Sequence, residues 1–378
     1  MAQSFSYWEQ TSFLTGFDVL IIGSGIVGLS AAFRLKSQSP SMRIAIIESG
    51  FLPSGASTKN AGFACFGSVS EAMNELKISG EESFLQMVEM RWKGLSRLRK
   101  NLGDACINFE PSRGYEIFKD SEEIFAVECI EQIDYLNNLI KPIIGKHDIY
   151  SVTNAKIAEN GFSGVKYLIE NKYEGMLDTG KMIGRLISIV AGLGVKIFNC
   201  CKVQQFTSDG VQHRIFTNQG EFKARSIIVA TNAFAKELLP ELEVIPGRGQ
   251  VLITEPIPNL KVGGAFHYNR GYTYFRNIDN RILLGGFRNL DFYGEQTSEP
   301  GLTDLIQTAL ERLLYETILP GQRPKIEFRW SGVMGFGPEP RPIVKEIRPG
   351  VYCAVRCNGM GIAIGTLLGE EVADLVNF

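Results

Sequence analysis

The sequence contains few of the residues that bind metal ions or form disulfides. Its 378 residues include only three histidines, and its seven cysteines are odd in number and form no CxxC pair. A histidine-rich metal site is therefore excluded, and thiols without a pairing pattern are typical of a reducing compartment. We expect a metal-free cytoplasmic protein with reduced, buried cysteines.

The sequence also lacks an excess of charge of either sign and lacks long apolar runs. Lysine and arginine number 39 against 41 aspartates and glutamates, for a formal net charge of −2. This balance argues against a nucleic-acid partner, because a nucleic-acid groove is basic. No apolar run reaches the roughly 18 residues of a membrane helix, and no basic segment before Phe13 resembles a signal peptide. We expect no transmembrane segment.

Glycine, by contrast, is abundant. The chain has 40 glycines among 378 residues, whereas about 7% is usual. They recur beside apolar strands rather than in a linker. We interpret this excess as backbone that approaches a large ligand.

The most informative segment is a G-x-G-x-x-G motif at residues 23–28. It lies between an apolar run and a helix-compatible stretch, and a second apolar run ends on Glu48, 20 residues beyond the last glycine. In such a unit Gly23 permits the tight turn, Gly25 lets a pyrophosphate approach the backbone, and Gly28 allows the helix to pack closely on the strand. The helix N-terminus offers unpaired N–H groups to the phosphates.

An acidic residue in the position of Glu48 can accept hydrogen bonds from a ribose. The alternative is a glycine-rich β-α-β turn that binds nothing. Because both strands, the helix and the acid are all present, the segment predicts a dinucleotide site.

Three further motifs bear on which dinucleotide is bound. Residues 55–63 are rich in small residues and hydroxyls that could wrap a pyrophosphate and reach a flavin. Residues 227–233 form an apolar strand that ends in small and polar residues, and the glycine turn at 358–361 precedes the last predicted helix. NAD alone, the alternative cofactor, would leave the first and third motifs without a role.

With these motifs the chain resembles the D-amino-acid-oxidase-like family of flavoproteins, which includes glycine oxidase, sarcosine oxidase and gamma-glutamylputrescine oxidase. The resemblance covers nearly the whole chain, and the ordered set of motifs carries it. In chain order they are the fingerprint at Gly23–Gly28, Ser57-Asn60-Ala61-Gly62, Leu177-Asp178-Thr179, Ala230-Thr231-Asn232, Arg248-Gly249-Gln250, Tyr274-Phe275-Arg276, Trp330-Ser331-Gly332 and Gly359-Met360-Gly361.

The resemblance implies FAD, with the adenine held through the backbone of Val203 and the last glycine turn facing the pyrimidine edge of the flavin. There the positive end of the last helix would stabilise negative charge on reduced flavin. The predicted cofactor-binding residues are Gly23, Gly25, Ile26, Val27, Gly28, Glu48, Ser49, Ser57, Thr58, Asn60, Ala61, Gly62, Phe63, Val203, Ala230, Thr231, Asn232, Asn358, Gly359, Met360, Gly361 and Ile362.

The predicted fold is mixed α/β. A Rossmann-like FAD-binding domain of the glutathione-reductase type is interleaved with a substrate domain built on a mostly antiparallel sheet. We predict that residues 14–75, 145–235 and 330–378 form the FAD-binding domain, and that residues 76–144 and 236–329 form the substrate or cap domain.

The chain departs from the family pattern at two places. Some members hold the flavin covalently, but residues 330–340 contain no cysteine and residues 57–63 contain no histidine. Cys65 and Cys357 lie outside those positions, so we expect non-covalent FAD.

The second departure concerns the substrate carboxylate. Glycine-oxidase-like members anchor it with an arginine just after Trp-x-Gly, where this chain has Met334. Arg356 in addition stands where the family has a small residue before the last glycine turn, so its side chain should lie at the edge of the substrate cavity. The candidate anchors here are Arg356, Arg276, Arg248 and Arg329. The alternative for each is an ordinary salt bridge.

Two tyrosines and a histidine complete the candidate catalytic residues. Tyr272 and Tyr274 are two apart on a strand-like segment and should share a face that covers the substrate, or else pack the sheet. His267 could assist deprotonation of an amine, although an ordinary core or surface role is the alternative.

The predicted activity is oxidation of the C–N bond of a small amine or amino acid, with hydride transfer to flavin N5 and oxygen or an electron carrier as the acceptor. The flavin carries this chemistry, so the protein needs no strong general base. One alternative is a 2-hydroxy-acid or glycerol-3-phosphate-type dehydrogenase on the same fold. Another is a non-catalytic flavin-binding protein.

Overall fold

The computed structural model describes residues 5–14 and 16–376. Residues 15 and 377–378 of the predicted FAD-binding domain therefore lie outside the described residues. In chain order the strands are β1 (Phe17–Ile22), β2 (Ile44–Ile47), β3 (Phe63–Ala64), β4 (Gly114–Lys119), β5 (Tyr150–Val152), β6 (Val165–Asn171), β7 (Gly175–Met176), β8 (Lys196–Phe198), β9 (Val203–Ser208), β10 (His213–Thr217), β11 (Gly220–Val229), β12 (Ile245–Thr254), β13 (Ala265–Tyr268), β14 (Thr273–Ile278), β15 (Arg281–Gly286), β16 (Ile326–Phe336), β17 (Ile343–Arg348) and β18 (Val351–Val355).

The helices have very different lengths. The longest, α4, is broken at Gly80, whose φ of 77° is not helical. Within residues 5–14 and 16–376, no helix is both long and apolar enough to cross a membrane. In chain order the helices are α1 (Tyr7–Glu9), α2 (Ile26–Gln38), α3 (Ala56–Lys59), α4 (Val69–Leu102), α5 (Glu123–Glu131), α6 (Ile133–Ile144), α7 (Ala155–Asn160), α8 (Thr179–Gly192), α9 (Asp304–Leu313) and α10 (Gly361–Leu375).

The first sheet is built around β1, which pairs in parallel with β2 and β11. Its order is β17-β18-β11-β1-β2-β8, and β10 and β9 extend it from β11. Strands β2 and β18 are buried at every residue, as expected of a parallel sheet covered on both faces. The carboxyl ends of β1, β11 and β18 therefore meet at one edge of the sheet.

The second sheet runs in the order β16-β12-β15-β14-β13-β4-β6-β5. All its neighbours are antiparallel except β13 and β4, which are parallel. A mixed α/β fold with one mostly parallel and one mostly antiparallel sheet confirms the predicted fold class.

The pairing of the strands does not follow the predicted domain boundaries. β5 and β6, which we placed in the FAD-binding domain, pair within the second sheet, and the boundary at residue 330 falls inside β16. Helix α4 contributes to two hydrophobic clusters: Phe84 and Val88 pack with α5 and α6, whereas Leu95 and Leu98 pack with α2 and α10. We propose that the chain crosses between the domains near the middle of α4.

Helix α10 lies against α2 in close contact because two of its residues are glycines. A Cβ atom on Gly365 would lie 2.5 Å from Ile26 Cγ2, and one on Gly369 would lie 2.5 Å from the carbonyl oxygen of Val27. Later residues of α10 thus meet later residues of α2, so the two helices run in the same direction. Their N-termini consequently open toward the same edge of the first sheet.

Candidate functional site

The turn between β1 and α2 needs glycine at its predicted positions. Gly23 has a φ of 106°, and a Cβ atom there would lie 2.9 Å from the carbonyl oxygen of Ala230. A Cβ atom on Gly28 would lie only 2.0 Å from the carbonyl oxygen of Gly23. Gly25 is the N-cap of α2 and has no side chain to cap it. The N-cap residue therefore leaves the helix N-terminus accessible to a ligand, with the first N–H, that of Ile26, bonded to Ser57.

Glu48 is buried beside this turn, and protein donors fix its orientation. Its Oε2 accepts hydrogen bonds from the backbone N–H and the hydroxyl of Ser24, at 3.1 and 2.8 Å. Its Oε1 accepts one from the backbone N–H of Gly50 at 2.9 Å. Oε1 also accepts a long hydrogen bond from the hydroxyl of Ser49 at 3.4 Å. Because the Ser49 hydroxyl can rotate away, a ribose hydroxyl could take its place on Oε1.

The predicted adenine contact lies close to Glu48. The backbone N–H of Cys201 donates to the carbonyl oxygen of Glu48 at 2.9 Å, and Val203 follows two residues later as the buried first residue of β9. The structure thus brings Val203 near the expected ribose position.

Residues 55–63, called the cofactor loop below, lie against the N-terminus of α2. The hydroxyl of Ser57 accepts a hydrogen bond from the backbone N–H of Ile26 at 3.0 Å. Thr58 and Asn60 instead hold the loop in shape: Thr58 donates to the carbonyl oxygen of Pro53 at 2.6 Å, and Asn60 accepts from the N–H of Gly62 at 2.8 Å. Of these three side chains, that of Ser57 bonds to the N-terminus of α2.

The end of β11 contributes an unsatisfied polar atom. The hydroxyl oxygen of Thr231 is buried without a hydrogen-bond partner among the described residues, next to the turn at Gly23. Asn232 has a structural contact: its Oδ1 accepts from the backbone N–H groups of Arg356 and Cys357 at 3.0 and 3.2 Å. A buried hydroxyl without a partner at this place fits a ligand that hydrogen-bonds to it.

The last glycine turn leads into α10 at the same edge of the first sheet. Asn358 and Gly359 have φ angles of 49° and 83°, and the N–H of Met360 donates to the carbonyl oxygen of Cys357. Helix α10 then begins at Gly361 without a side-chain cap. Two open helix N-termini, the orphaned Thr231 hydroxyl and the glycine turns together fit FAD.

The cysteines near this region are not suited to a covalent link. Cys65 and Cys357 are both buried. Burial raises the pKa of Cys357 to about 12, and it also raises the pKa of Cys65. Thiols in this state are poor nucleophiles.

One face of the second sheet is turned toward the cofactor loop. Val251, Leu283 and Tyr274 on this face pack with Ala61 of the loop, and the indole N–H of Trp330 donates to the carbonyl oxygen of Lys59 at 2.9 Å. A Cβ atom on any of four glycines of this face would lie 2.6–2.9 Å from a neighbouring side chain. We call this surface the glycine face, after Gly247, Gly249, Gly285 and Gly332.

Of the two predicted tyrosines, Tyr274 lies on the glycine face. Its ring meets the edge of Phe63 at 5.6 Å between centroids and lies over Gly285. Burial raises its pKa to about 12, so its hydroxyl is neutral at physiological pH. Tyr272 precedes β14, is 39% exposed, and contacts Phe292.

Two candidate anchors lie on the face of the second sheet turned away from the cofactor loop. Arg248 alternates with Gly247 and Gly249 along β12 and forms two hydrogen bonds with the buried carboxylate of Glu295, at 2.8 and 2.9 Å. Arg329, next to Trp330, donates to side chains of α9. Their positions argue against a direct substrate contact.

Arg276 and Arg356 are bonded to backbone carbonyl groups. Arg276 is buried and donates through one nitrogen to three carbonyl oxygens, two of them in the cofactor loop, and burial lowers its pKa to about 10. Arg356 lies behind β16, beside Gly337, and donates to the carbonyl oxygens of Arg341 and Glu243 at 2.9 and 3.3 Å. These contacts give both arginines partners in the backbone, and the place of Arg356 at the edge of the substrate cavity stays a prediction.

His267 lies at one end of the glycine face among buried acids. Its two nitrogens are each 3.6 Å from a carboxylate oxygen, of Glu71 and of Glu174. Burial alone disfavours its charge, but the Cys65 thiol and the nearby carboxylates of Glu174 and Glu71 raise its pKa well above its usual range. Beside it, burial raises the pKa of Glu116 to about 7.

This cluster is also the place where a metal ion could bind. Ligand atoms of Cys65, Glu174 and His267 lie within 4.8 Å of one another and all three residues are buried. These are residue types that bind zinc. The expectation of a metal-free protein remains a prediction.

Comparisons with known proteins agree with this geometry. A sequence model of the DAO family, described as FAD dependent oxidoreductase, matches residues 18–375. The glycine oxidase of Geobacillus kaustophilus (strain HTA426) is 24% identical over 373 residues, which cover 95% of this chain and 93% of that protein.

Two solved structures have a similar fold. The L-proline dehydrogenase of P. horikoshii superposes with a TM-score of 0.75 at 18% identity, covering 96% of this chain and 94% of the other. The glycine oxidase of Geobacillus kaustophilus gives a TM-score of 0.75 at 20% identity, covering 95% and 94%. At these identities the superpositions establish the fold alone.

Proposed function

Because this chain belongs to the FAD-dependent oxidoreductase family, we propose that it oxidises the C–N bond of an amine or amino acid. Bound FAD supplies a hydride acceptor, its N5 atom. A neutral amine would give up a hydride from its α-carbon to leave a protonated imine, which water would hydrolyse to a carbonyl product and ammonia or a smaller amine. The relatives named glycine oxidase and L-proline dehydrogenase support this substrate class.

The FAD is held without a covalent bond in this proposal. Gly25 and Gly361 would place the open ends of α2 and α10 against it, and the carboxylate of Glu48 would take a ribose hydroxyl. The high pKa of Cys357 supports the absence of a thiol link.

The composition of the glycine face is the observation that carries the proposal. Between Trp330 and Tyr274 the paired residues across the sheet are Val251 and Gly285, and the first imidazole of the row, that of His267, comes after Tyr274. The Tyr274 hydroxyl is neutral at physiological pH. These residues can orient an apolar substrate and exclude water, but they offer no base, and a neutral amine needs none.

The geometry disfavours the alternative of a hydroxy-acid dehydrogenase. Removing hydride from an alcohol generally requires a base for the O–H proton. His267 is the histidine nearest to Tyr274, and both its nitrogens face carboxylates, those of Glu71 and Glu174. Neither nitrogen is directed to the row between Tyr274 and Trp330.

An anaerobic flavin-reduction assay tests the proposal. The purified yellow protein is mixed without oxygen with separate panels of amines, amino acids, 2-hydroxy acids and glycerol 3-phosphate, and the loss of flavin absorbance is recorded. We expect bleaching by members of the first two panels only. Bleaching by hydroxy compounds alone would replace the proposal with the dehydrogenase, and no bleaching by any panel would favour a non-catalytic flavoprotein.

A further inference from the structure

Arg288, which belongs to none of the sequence motifs named above, lies on the glycine face. It follows β15 by two residues, and a Cβ atom on Gly247 would lie 3.5 Å from its Nη1. Its guanidinium carbon lies 4.2 Å from the ring centroid of Phe336 and 4.8 Å from that of Phe292. The two rings hold the cation in a defined place above the sheet.

No described residue accepts a hydrogen bond from this guanidinium group. Glu295, the carboxylate whose charge acts on it, is already bonded to Arg248 through both of its oxygens. Burial lowers the pKa of Arg288, which is the sign of a cation that is only partly compensated. The five N–H donors of this half-buried guanidinium are therefore available to a ligand that supplies acceptors.

Contacts across the sheet place Arg288 near the last glycine turn. Gly247 pairs directly with Met334 across the sheet. The sulfur of Met334 lies 4.0 Å from the position of a Cβ atom on Gly359, in the last glycine turn. The guanidinium group of Arg288 lies beside Gly247, and the residue paired with Gly247 lies beside the turn that we expect to contact the flavin.

We propose that Arg288 binds the carboxylate of the substrate, which makes the substrate an amino acid rather than a simple amine. This inference rests on the proposed function. The planar fork of the guanidinium matches a carboxylate in two parallel hydrogen bonds, and lysine cannot copy that geometry. Phe292 and Phe336 fix the plane of the group before the substrate arrives.

Flavin absorbance measures ligand binding here without turnover. The oxidised holoenzyme is titrated with acetate, butyrate and phenylacetate and, in parallel, with the amide of each acid. The loss of a charge-assisted hydrogen-bonded pair weakens binding by about 10- to 100-fold. We therefore expect at least one acid to bind about tenfold more tightly than its amide, as measured by the change in flavin absorbance. A wild-type protein that does not distinguish acids from amides overturns the proposal.

Variants then assign the preference to Arg288. In Arg288→Gln the acid and its amide should bind within about twofold of each other, and Arg288→Lys should keep only part of the preference. The matched control is Arg323→Gln, an arginine that stacks on Tyr315 on the α9 side of the molecule and should leave the preference unchanged. FAD content and melting temperature identify any variant that fails to fold, and Arg288→Lys then remains as the test.

The outcomes separate this inference from the proposed function. A preference for acids that persists in Arg288→Gln and Arg288→Lys would show that Arg288 merely stacks on the two rings. This conclusion holds whether or not amines bleach the flavin. If the acid preference depends on Arg288 but no amine or amino acid bleaches the flavin, the carboxylate site stands and the proposed reaction fails.

Discussion

Replacing Arg276 by methionine should loosen the cofactor loop rather than remove a substrate contact. Its Nη1 donates to the carbonyl oxygens of Ala61, Gly62 and Leu177 at 3.2, 3.3 and 2.8 Å. The carbonyl oxygen of Gly62 keeps a second donor, the N–H of Leu177. The carbonyl oxygens of Ala61 and Leu177 would therefore lose the Arg276 donor, at a cost of about 1–3 kcal/mol each in folding free energy.

The expected loss of folding free energy in Arg276→Met is thus about 2–6 kcal/mol, accompanied by weaker FAD binding. Urea unfolding of the holoprotein and the apoprotein measures the first, and fluorescence titration of the apoprotein with FAD measures the second. Arg185→Met, at an exposed position on α8, should change neither. The reasoning is refuted if stability and FAD affinity stay unchanged while the KM for an amino acid rises, because Arg276 would then contact the substrate.

Other predictions concern the cofactor and a second arginine. Gly25→Val should abolish FAD binding, because its first side-chain atom would lie 2.9 Å from Ser57 Oγ, between the helix end and the loop. Glu48→Ala should weaken FAD binding by about 1.5–3 kcal/mol through loss of a charge-assisted contact. If both variants bind FAD as tightly as the unmodified protein, the site is assigned wrongly. Acid precipitation should release all flavin, and colour in the pellet would disprove a non-covalent cofactor. Arg356→Lys should lower stability by about 1 kcal/mol and leave the preference for acids over amides unchanged, whereas a raised KM only for carboxylates would restore Arg356 as an anchor.

The parts of the site that could be predicted from the sequence are those whose function is local. The glycines at 23 and 28 are required by contacts with the strand and turn beside them, and such contacts leave a fixed spacing in the sequence. The two sheets could also be predicted, because continuous apolar runs and alternating strands are typical of buried parallel and antiparallel sheets respectively.

The arginines could not be assigned in this way, because their roles depend on partners distant in the chain. Arg248 was a reasonable candidate from its motif. Successive side chains of β12 point to opposite faces of the sheet, however, and Arg248 lies on the face opposite the glycine face, where Glu295 binds it. Arg288 lies in no motif that we used, and its neighbour Phe336 is brought to it only by the pairing of β12 with β16. The Gly285-Gly286 pair before it was the available signal, since glycines on a strand mark a close approach.

The position of α10 shows why the cofactor site and the core form one structure. Gly94 of α4 approaches α10 so closely that a Cβ atom there would lie 2.0 Å from the carbonyl oxygen of Ala363, and Gly365 and Gly369 make the equivalent approach to α2. Helix α10 is therefore held between α2 and α4, and its N-terminus cannot move without disturbing both contacts. Since the dipoles of α2 and α10 act together only while the helices stay parallel, a larger residue at Gly365 would weaken FAD binding without touching the ligand.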